Sequence, residues 1–351
     1  MKTPINTMVH RQGVALVQVL LILTLLSLVA TNIQISQRQN LDRSVSVLMQ
    51  GQAREYLLGA ETMGSELLYA DATINTQQGS DLNNTEFDDL NNQLWNVPLG
   101  PVLIAQGRET ELEQGMVLAM VTDLNRRFNL NWLSDEASDP DTMKTNFARL
   151  LSALEIDTSF ADTLRNWFHE DSGAEYIYTN KEPPYFPSVM PMSDISELLL
   201  LDGMTRDIYD KLKDYVCALP VDMKLNINTA SAEVLQTISS SWTADTAENI
   251  ISARDSSPFM SVDDMFDDVD FSEDEEKGVD ESLLTINSDY FLIHAEVDLQ
   301  DRLGRLSVPF YIQSVLYRNS SDEIQLVSRD LSVTPITDPG ATETSLDQAT
   351  N

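Results

Sequence analysis

The side chains that could do chemistry in this sequence are mostly carboxylates. There are 56 Asp and Glu residues against 22 Lys and Arg, a formal net charge of -34 over 351 residues. Oxygen-rich surfaces of this kind suit hard cations, or a domain that stays soluble outside the cytoplasm. They repel nucleic acid, whose binding rests on Lys and Arg contacts to phosphate, and they disfavour docking on anionic lipid. The densest run, DDMFDDVDFSEDEEKGVDE from Asp263 to Glu281, reads as a solvated loop, with a cation site, or charge repulsion that keeps the domain soluble, as the alternatives. Other chemistry is sparse. His10, His169 and His294 are far apart and make no metal-binding spacing. Cys217, the one cysteine, excludes an intrachain disulfide and a CxxC site, and in DYVCALP it reads as a small core residue. The sequence has no phosphate-binding loop, no dinucleotide fingerprint and no nucleophile elbow.

The elements that would position any site begin with an apolar helix. Residues 12–37 are uncharged, and Val14 to Ile35 is long enough to cross the roughly 30 Å hydrocarbon layer at about 1.5 Å per residue. Lys2 and Arg11 precede it, with His10 beside them, so the short leader is expected in the cytoplasm and the rest of the chain across the membrane. A secretory signal cut after Ala30 is the rival, but Leu28 is bulky for the -3 position. The helical pattern also runs on through Val45, Leu48, Met49, Tyr56, Ala60, Met63 and Leu67. One helix from Val14 to about Ala70, retained as an anchor, is therefore expected.

Beyond it, residues 71–98 read as polar loop with a short helix at Phe87 to Trp95. Val102–Gln106 and Met116–Thr122 read as strands. From Asp139 to Ser282 the pattern is helical, with six expected helices: DTMKTNFARLLSALEI, SFADTLRNWF, SDISELLLLDGM capped by Ser193, TRDIYDKLKDYVCAL, and two more, NTASAEVLQTIS and TADTAENIISARDSSPF, each starting at Thr. Trp132 and Trp167 read as core. After Thr285 the period becomes two, for three antiparallel strands, and residues 331–351 read as a disordered tail.

A basic leader ending in Gly13 ahead of the apolar helix resembles the leader of type IV pilins and type II secretion pseudopilins. DLNRRFNLNWL, with Asp123, Arg127, Phe128, Asn129, Leu130 and Asn131 in place and Arg126 where a Gly is usual, is similar to the protein K family of type II secretion. So is the stretch Trp167 to Ser239, through Gly173–Ala174–Glu175, Tyr178, Pro183, Pro184, Tyr185, Ser196–Glu197–Leu198, Gly203 and Asn226–Ile227–Asn228–Thr229–Ala230. The resemblance implies an α+β fold: a type IV pilin-like long N-terminal helix on an antiparallel sheet, with a large inserted all-α domain of SAM-like or helix-hairpin-helix-like kind. Its implied organisation is a leader over 1–13, a transmembrane half over 14–37, a periplasmic half over 38–70, a β region over 71–131 and 286–330, and the insert over 132–285.

The resemblance also implies roles. Prepilin peptidase would cut between Gly13 and Val14 and methylate Val14; a start at Met8 would leave the leader MVHRQG. The fifth mature residue, usually Glu, is Gln18 here. A neutral amide is cheaper than a charge in hydrocarbon and fits a subunit with no neighbour above it, the alternative being a tolerated polar residue. Family members bind calcium in the insert, in a loop with three aspartates of which this chain keeps one. Glu170, Asp171, Glu175 and nearby carbonyls are then the candidate ligands, with a solvated acidic loop as the alternative. No other cofactor and no catalysis are implied. The implied partners are the I- and J-type minor pseudopilins, the peptidase and the inner membrane, without nucleic acid. Residues 225–266 also resemble a helix-hairpin-helix of DNA-uptake receptors. The hairpin SSSW is not Gly-rich and its flanks are acidic, so Asn226 and Asn228 read as turn and cap residues.

Overall fold

The computed structural model describes residues 10–77, 88, 90, 99–104, 115–276, 278–299, 309–319, 321 and 323–331. In chain order it holds α1 (His10–Gln77), β1 (Leu99–Ile104), β2 (Gly115–Asp123), β3 (Phe128–Asn129), α2 (Pro140–Ala153), α3 (Phe160–Phe168), α4 (Glu175–Thr179), α5 (Arg206–Leu212), β4 (Val216–Cys217), β5 (Leu225–Asn226), α6 (Ala232–Leu235), α7 (Ala244–Ser256), α8 (Val262–Asp268), α9 (Glu273–Glu276), β6 (Leu284–Thr285), β7 (Tyr290–Leu299), β8 (Phe310–Arg318) and β9 (Ile324–Asp330). Among the described residues, one antiparallel sheet runs in the order β1-β2-β7-β8-β9. The chain leaves it after β2 and returns at β7, so the helical block sits between two neighbouring strands.

The expected long helix is present and lies on this sheet. In α1 the stripe Met49, Ala53, Leu57, Ala60, Leu68 and Ala72, spaced three, four and eight, is buried. Its first part packs on Ala119, Ala295, Val297, Leu299 and Ile312, and Leu68 packs on Val121, Phe291, Ile293 and Leu316. Strand alternation supplies the other face: Phe291, Ile293, Ala295, Val297 and Leu299 are all fully buried on β7. Leu57 and Leu68 alone, 2% and 0% exposed, contribute about 1.5–3 kcal/mol each. Between the two clusters Gly64 lets helix and sheet close up; a Cβ there would stand 2.5 Å from Ile293 Cδ1.

Two arginines staple the same seam. Arg329 from β9 donates to both carboxylate oxygens of Glu61, which also accepts from Ser314. Burial pushes the Glu61 carboxyl up, but these hydrogen bonds outweigh it and hold it below its ordinary value. Arg318 from β8 donates to Asp71 at 3.1 Å, to Asp88, and to the Ser288 carbonyl at 2.7 Å, with its guanidinium 4.9 Å from the Phe291 ring centroid. Burial would lower its pKa; Asp88 and Asp71 more than reverse that.

The helical block has its own core, built on residues such as Phe128, Trp132, Phe147, Trp167, Tyr178 and Trp242. Cys217 is buried in it, and burial pushes its thiol up, which keeps it unreactive. Three expected helices differ. SDISELLLLDGM forms a 3-10 helix over Ile195–Leu200, capped by Asp194 rather than Ser193, because Asp194 and Glu197 complete a reciprocal capping box. TRDIYDKLKDYVCAL stops at Leu212, because Val216–Cys217 pairs in parallel with Phe128–Asn129 instead. NTASAEVLQTIS shortens to Ala232–Leu235 with Ser231 at its N-cap, because Thr229 bonds Asp123. The run Asp263 to Glu281 is more ordered than a loop: it contains α8 and α9, and Glu275 accepts from Ser272 and Thr246. The expected helix at Phe87 to Trp95 and the tail from 332 lie outside the described residues, apart from Asp88 and Leu90.

Candidate functional site

The candidate site is the surface of α1 together with the joint that carries the insert. The first half of α1 is apolar on all sides. Leu16, Leu20, Leu23, Leu26 and Ile33 are each more than half exposed, and an 18-residue window averages a hydropathy of 2.3 with none of it buried in the protein. Such a helix is long and apolar enough to cross a membrane. Gln18 is exposed within that stretch, and Gly13 and Val14 lie in the opening turns of the helix.

The second half of α1 is two-sided. Alongside the buried stripe, Leu41, Val45, Leu48, Tyr56 and Met63 are 66, 44, 57, 38 and 47% exposed. Their spacings of four, three, eight and seven put them on one side of the helix. An apolar line of this length, continuous with the anchor, is the geometry by which a helix receives another helix.

The joint between sheet and insert is made by asparagines. Asn125, just past β2, donates to the Lys224 carbonyl at 2.8 Å and accepts from the amides of Asp289 and Tyr290 at 3.0 and 2.9 Å. Asn226 donates to the Asp88 carbonyl and to Ser288 Oγ, and accepts from the Asn228 amide. Deeper in the insert, Asn131 brackets Met192, taking its amide at 2.7 Å and giving to its carbonyl at 2.9 Å; Asn228 does the same to Phe259. A carboxamide offers one acceptor and two donors, like a peptide group, so each of these side chains replaces a missing strand neighbour. The motifs DLNRRFNLN and NINTA are this joint. Asp123 sits in it, fully buried and accepting from the Asn125 amide and Thr229 Oγ. Burial pushes its carboxyl up to about 6, against the hydrogen bonds from Thr229 and Ser288.

The acidic turn is less organised. Glu170 and Asp171 lie in a 3-10 turn over Glu170–Ser172, and Glu175 opens α4. Gly173 between them has φ 72°, a left-handed conformation that glycine adopts at no steric cost. Glu170 and Glu175 are exposed, and His169 is bonded to Asp135 at 3.0 Å. Among the described residues no three His, Cys, Asp or Glu side chains are grouped to hold a metal ion. The Asp171 side chain is outside that set, so the two described carboxylates do not by themselves make a calcium site, which wants six to eight oxygens. In the hairpin SSSW, Arg149 donates to the carbonyls of Ser239 and Trp242, and Trp242 is buried against Phe271 at 5.3 Å between ring centroids. Sequence reasoning missed Gly64, Asn125 and the Arg318–Asp71–Asp88 cluster; the last two join residues far apart in the chain, which no local pattern signals.

Helix, sheet and insert together define a pilin-like α+β protein whose first helix can serve as a single-pass membrane anchor. Comparison with known proteins is specific. Models of the type II secretion system protein K family match residues 126–221 and 225–287. The chain is 31% identical to the type II secretion system protein K of Pseudomonas aeruginosa, over 92% of this chain and 93% of that one. It is 30% identical to the protein of that name from Klebsiella pneumoniae, over 72% and 78%. A chain in the crystal structure of the GspK-GspI-GspJ complex from the enterotoxigenic Escherichia coli Type 2 Secretion System shares the fold, with a TM-score of 0.61 at 21% identity, over 83% of this chain and 99% of that one. This chain belongs to the type II secretion system protein K family.

Proposed function

We propose that the chain is the minor pseudopilin at the tip of the type II secretion pseudopilus, where it starts assembly with I- and J-type minor pseudopilins and so supports export across the outer membrane. The observation that carries this is the open apolar line Leu41, Val45, Leu48, Tyr56 and Met63 on a helix whose adjoining stripe is already packed on the sheet. It suits side-by-side packing with the first helices of partner subunits, and the similar chain was solved in a complex of three such proteins. The insert between β2 and β7 adds bulk that a repeating helical filament would have to exclude, which favours an end position.

In this reading prepilin peptidase cuts between Gly13 and Val14 and methylates Val14. The anchor then spans the inner membrane, with the leader side cytoplasmic and the bulk periplasmic. Gln18 stays neutral because a tip subunit meets no amine above it. A Glu there would place a carboxylate in hydrocarbon, where a charge without a partner is costly. Calcium at Glu170, Asp171 and Glu175 belongs to the same proposal. Calorimetric titration is expected to give binding heat that Asp171→Asn removes, and no heat would make the turn a solvated loop.

The test of the main reading is Val45→Asp with Leu48→Arg in the full-length protein, co-purified with its I- and J-type partners from detergent. Loss of both partners at an unchanged melting temperature is the expected result. Undiminished recovery would remove the helix line from the account.

A further inference from the structure

Seven of the eleven large apolar side chains described as exposed beyond Asp71 fall between Tyr176 and Leu200. They are gathered in space by one hub. Tyr185 stands 5.4 Å from the Tyr178 ring, which is itself 5.0 Å from Trp167, and its hydroxyl donates to the Leu200 carbonyl at 2.7 Å. The amide of Val189 donates to the Trp167 carbonyl at 3.1 Å. This hub draws α4, the loop of residues 180–194 and the 3-10 helix Ile195–Leu200 into one surface. On it Tyr176 and Phe186 are each 70% exposed and Met190 65%, with Ile177, Leu199 and Leu200 also exposed. Val189 is held at φ 53°, a conformation unfavourable for a β-branched residue, so the neighbouring exposed positions are fixed at a cost rather than by default.

A patch of this make-up in water is unusual for a chain with so polar a surface, and such patches mark docking sites. Its flanking charges are mainly acidic. Residues 176–204, which carry the patch and leave out the calcium candidates, contain four Asp and Glu and a single Lys, Lys181, which is paired with Asp202 at 2.7 Å. We infer that this face of the insert is a second docking surface, for a protein partner that presents an apolar centre ringed by lysine and arginine. Charge selects among occupants. A second copy in a two-fold contact would set this acidic rim against itself. An anionic lipid surface would be repelled by the same carboxylates. A basic-rimmed protein meets both the apolar centre and the rim. The surface uses elements separate from the α1 line, so it stands whether or not that line receives the I- and J-type partners.

The test places p-benzoylphenylalanine at Phe186 of the full-length protein in the producing cell, with Ser252, exposed on α7, as the control site. Irradiation is expected to give one protein adduct whose cross-linked peptide, identified by mass spectrometry, is rich in Lys and Arg. Its yield should exceed that from Ser252 about tenfold and fall about tenfold with Met190→Glu, the size of effect that loss of an interface anchor produces. Raising salt should lower it further, since the rim attraction is screened. Recovery of the I- and J-type partners is expected unchanged in Met190→Glu, which separates this surface from the helix line. No adduct above the Ser252 level, an adduct with lipid or a second copy, or one with an acidic or neutral surface would each overturn the inference. Both sites are exposed, so an unaltered melting temperature keeps the reading clear of misfolding. If Met190→Glu alone lowers that temperature, Phe186→Ser with the cross-linker moved to Tyr176 repeats the comparison.

Discussion

The central sheet carries two joints that are built differently. Helix α1 is joined to it by an apolar stripe closed by two arginine–carboxylate staples. The insert is joined to it by asparagine side chains that act as spare peptide groups. The first joint gains mainly from buried area, with its register set by the close approach at Gly64 and by the two staples; the second gains from directional hydrogen bonds and fixes one orientation. The contrast fits what each part has to do in the proposed role. A subunit that packs beside other helices needs only a firm helix–sheet body. A domain that presents a surface to another protein must be held at a defined angle.

The largest effect should come from the first joint. Arg318→Ala would leave Asp71 and Asp88 buried without their cation and free the Ser288 carbonyl, a loss of about 3–5 kcal/mol. Urea denaturation in detergent, followed by far-UV circular dichroism, reads it, and a loss below about 1 kcal/mol would show that the staple contributes only as a surface pair does. Next is Asn125→Ala at the second joint. It strands one carbonyl and two amides in the interior and should cost about 1–3 kcal/mol. Proteolysis should then release the insert before the helix–sheet body; simultaneous cutting of both would mean that the two joints are not independent.

A further effect is one of pH. Asp123 has a folded pKa raised from 3.8 to about 6, so the folded state holds its proton where the unfolded state has lost it. Its contribution to stability is therefore fully present below about 3.8 and is lost as pH rises to about 6. Asp123→Asn should remove that part of the pH slope in urea midpoints measured across this window. An unchanged slope would place the titration elsewhere.

The two joints were also unequally legible. The continuation of α1 past the membrane follows from period, but its packed side does so only in part: of Val45, Leu48, Met49, Tyr56, Ala60, Met63 and Leu67, Met49 and Ala60 lie on the buried stripe, whereas Val45, Leu48, Tyr56 and Met63 are exposed; the alternation of Tyr290 to Leu299 marks the partner strand. The second joint was visible as motif but not as mechanism. Asn226 and Asn228 read as local turn and cap residues, whereas their partners Asp88, Ser288 and Phe259 lie far along the chain. Where helices were expected over residues 193–204 and 213–219, a reciprocal cap and a strand pairing with Phe128–Asn129 won over local propensity. In the acidic turn the sequence offered Glu170, Asp171 and Glu175 as one set. The structure places them on a 3-10 turn and a separate short helix.

The account depends most on α1 being a processed and retained anchor rather than a removed signal. N-terminal sequencing and intact mass of the membrane-bound protein test this directly, with Gly13→Ala alongside. The account predicts a mature chain that begins at Val14 and a Gly13→Ala chain that keeps its leader. A mature chain that begins at Thr31, with Gly13→Ala processed as the wild type is, would contradict it.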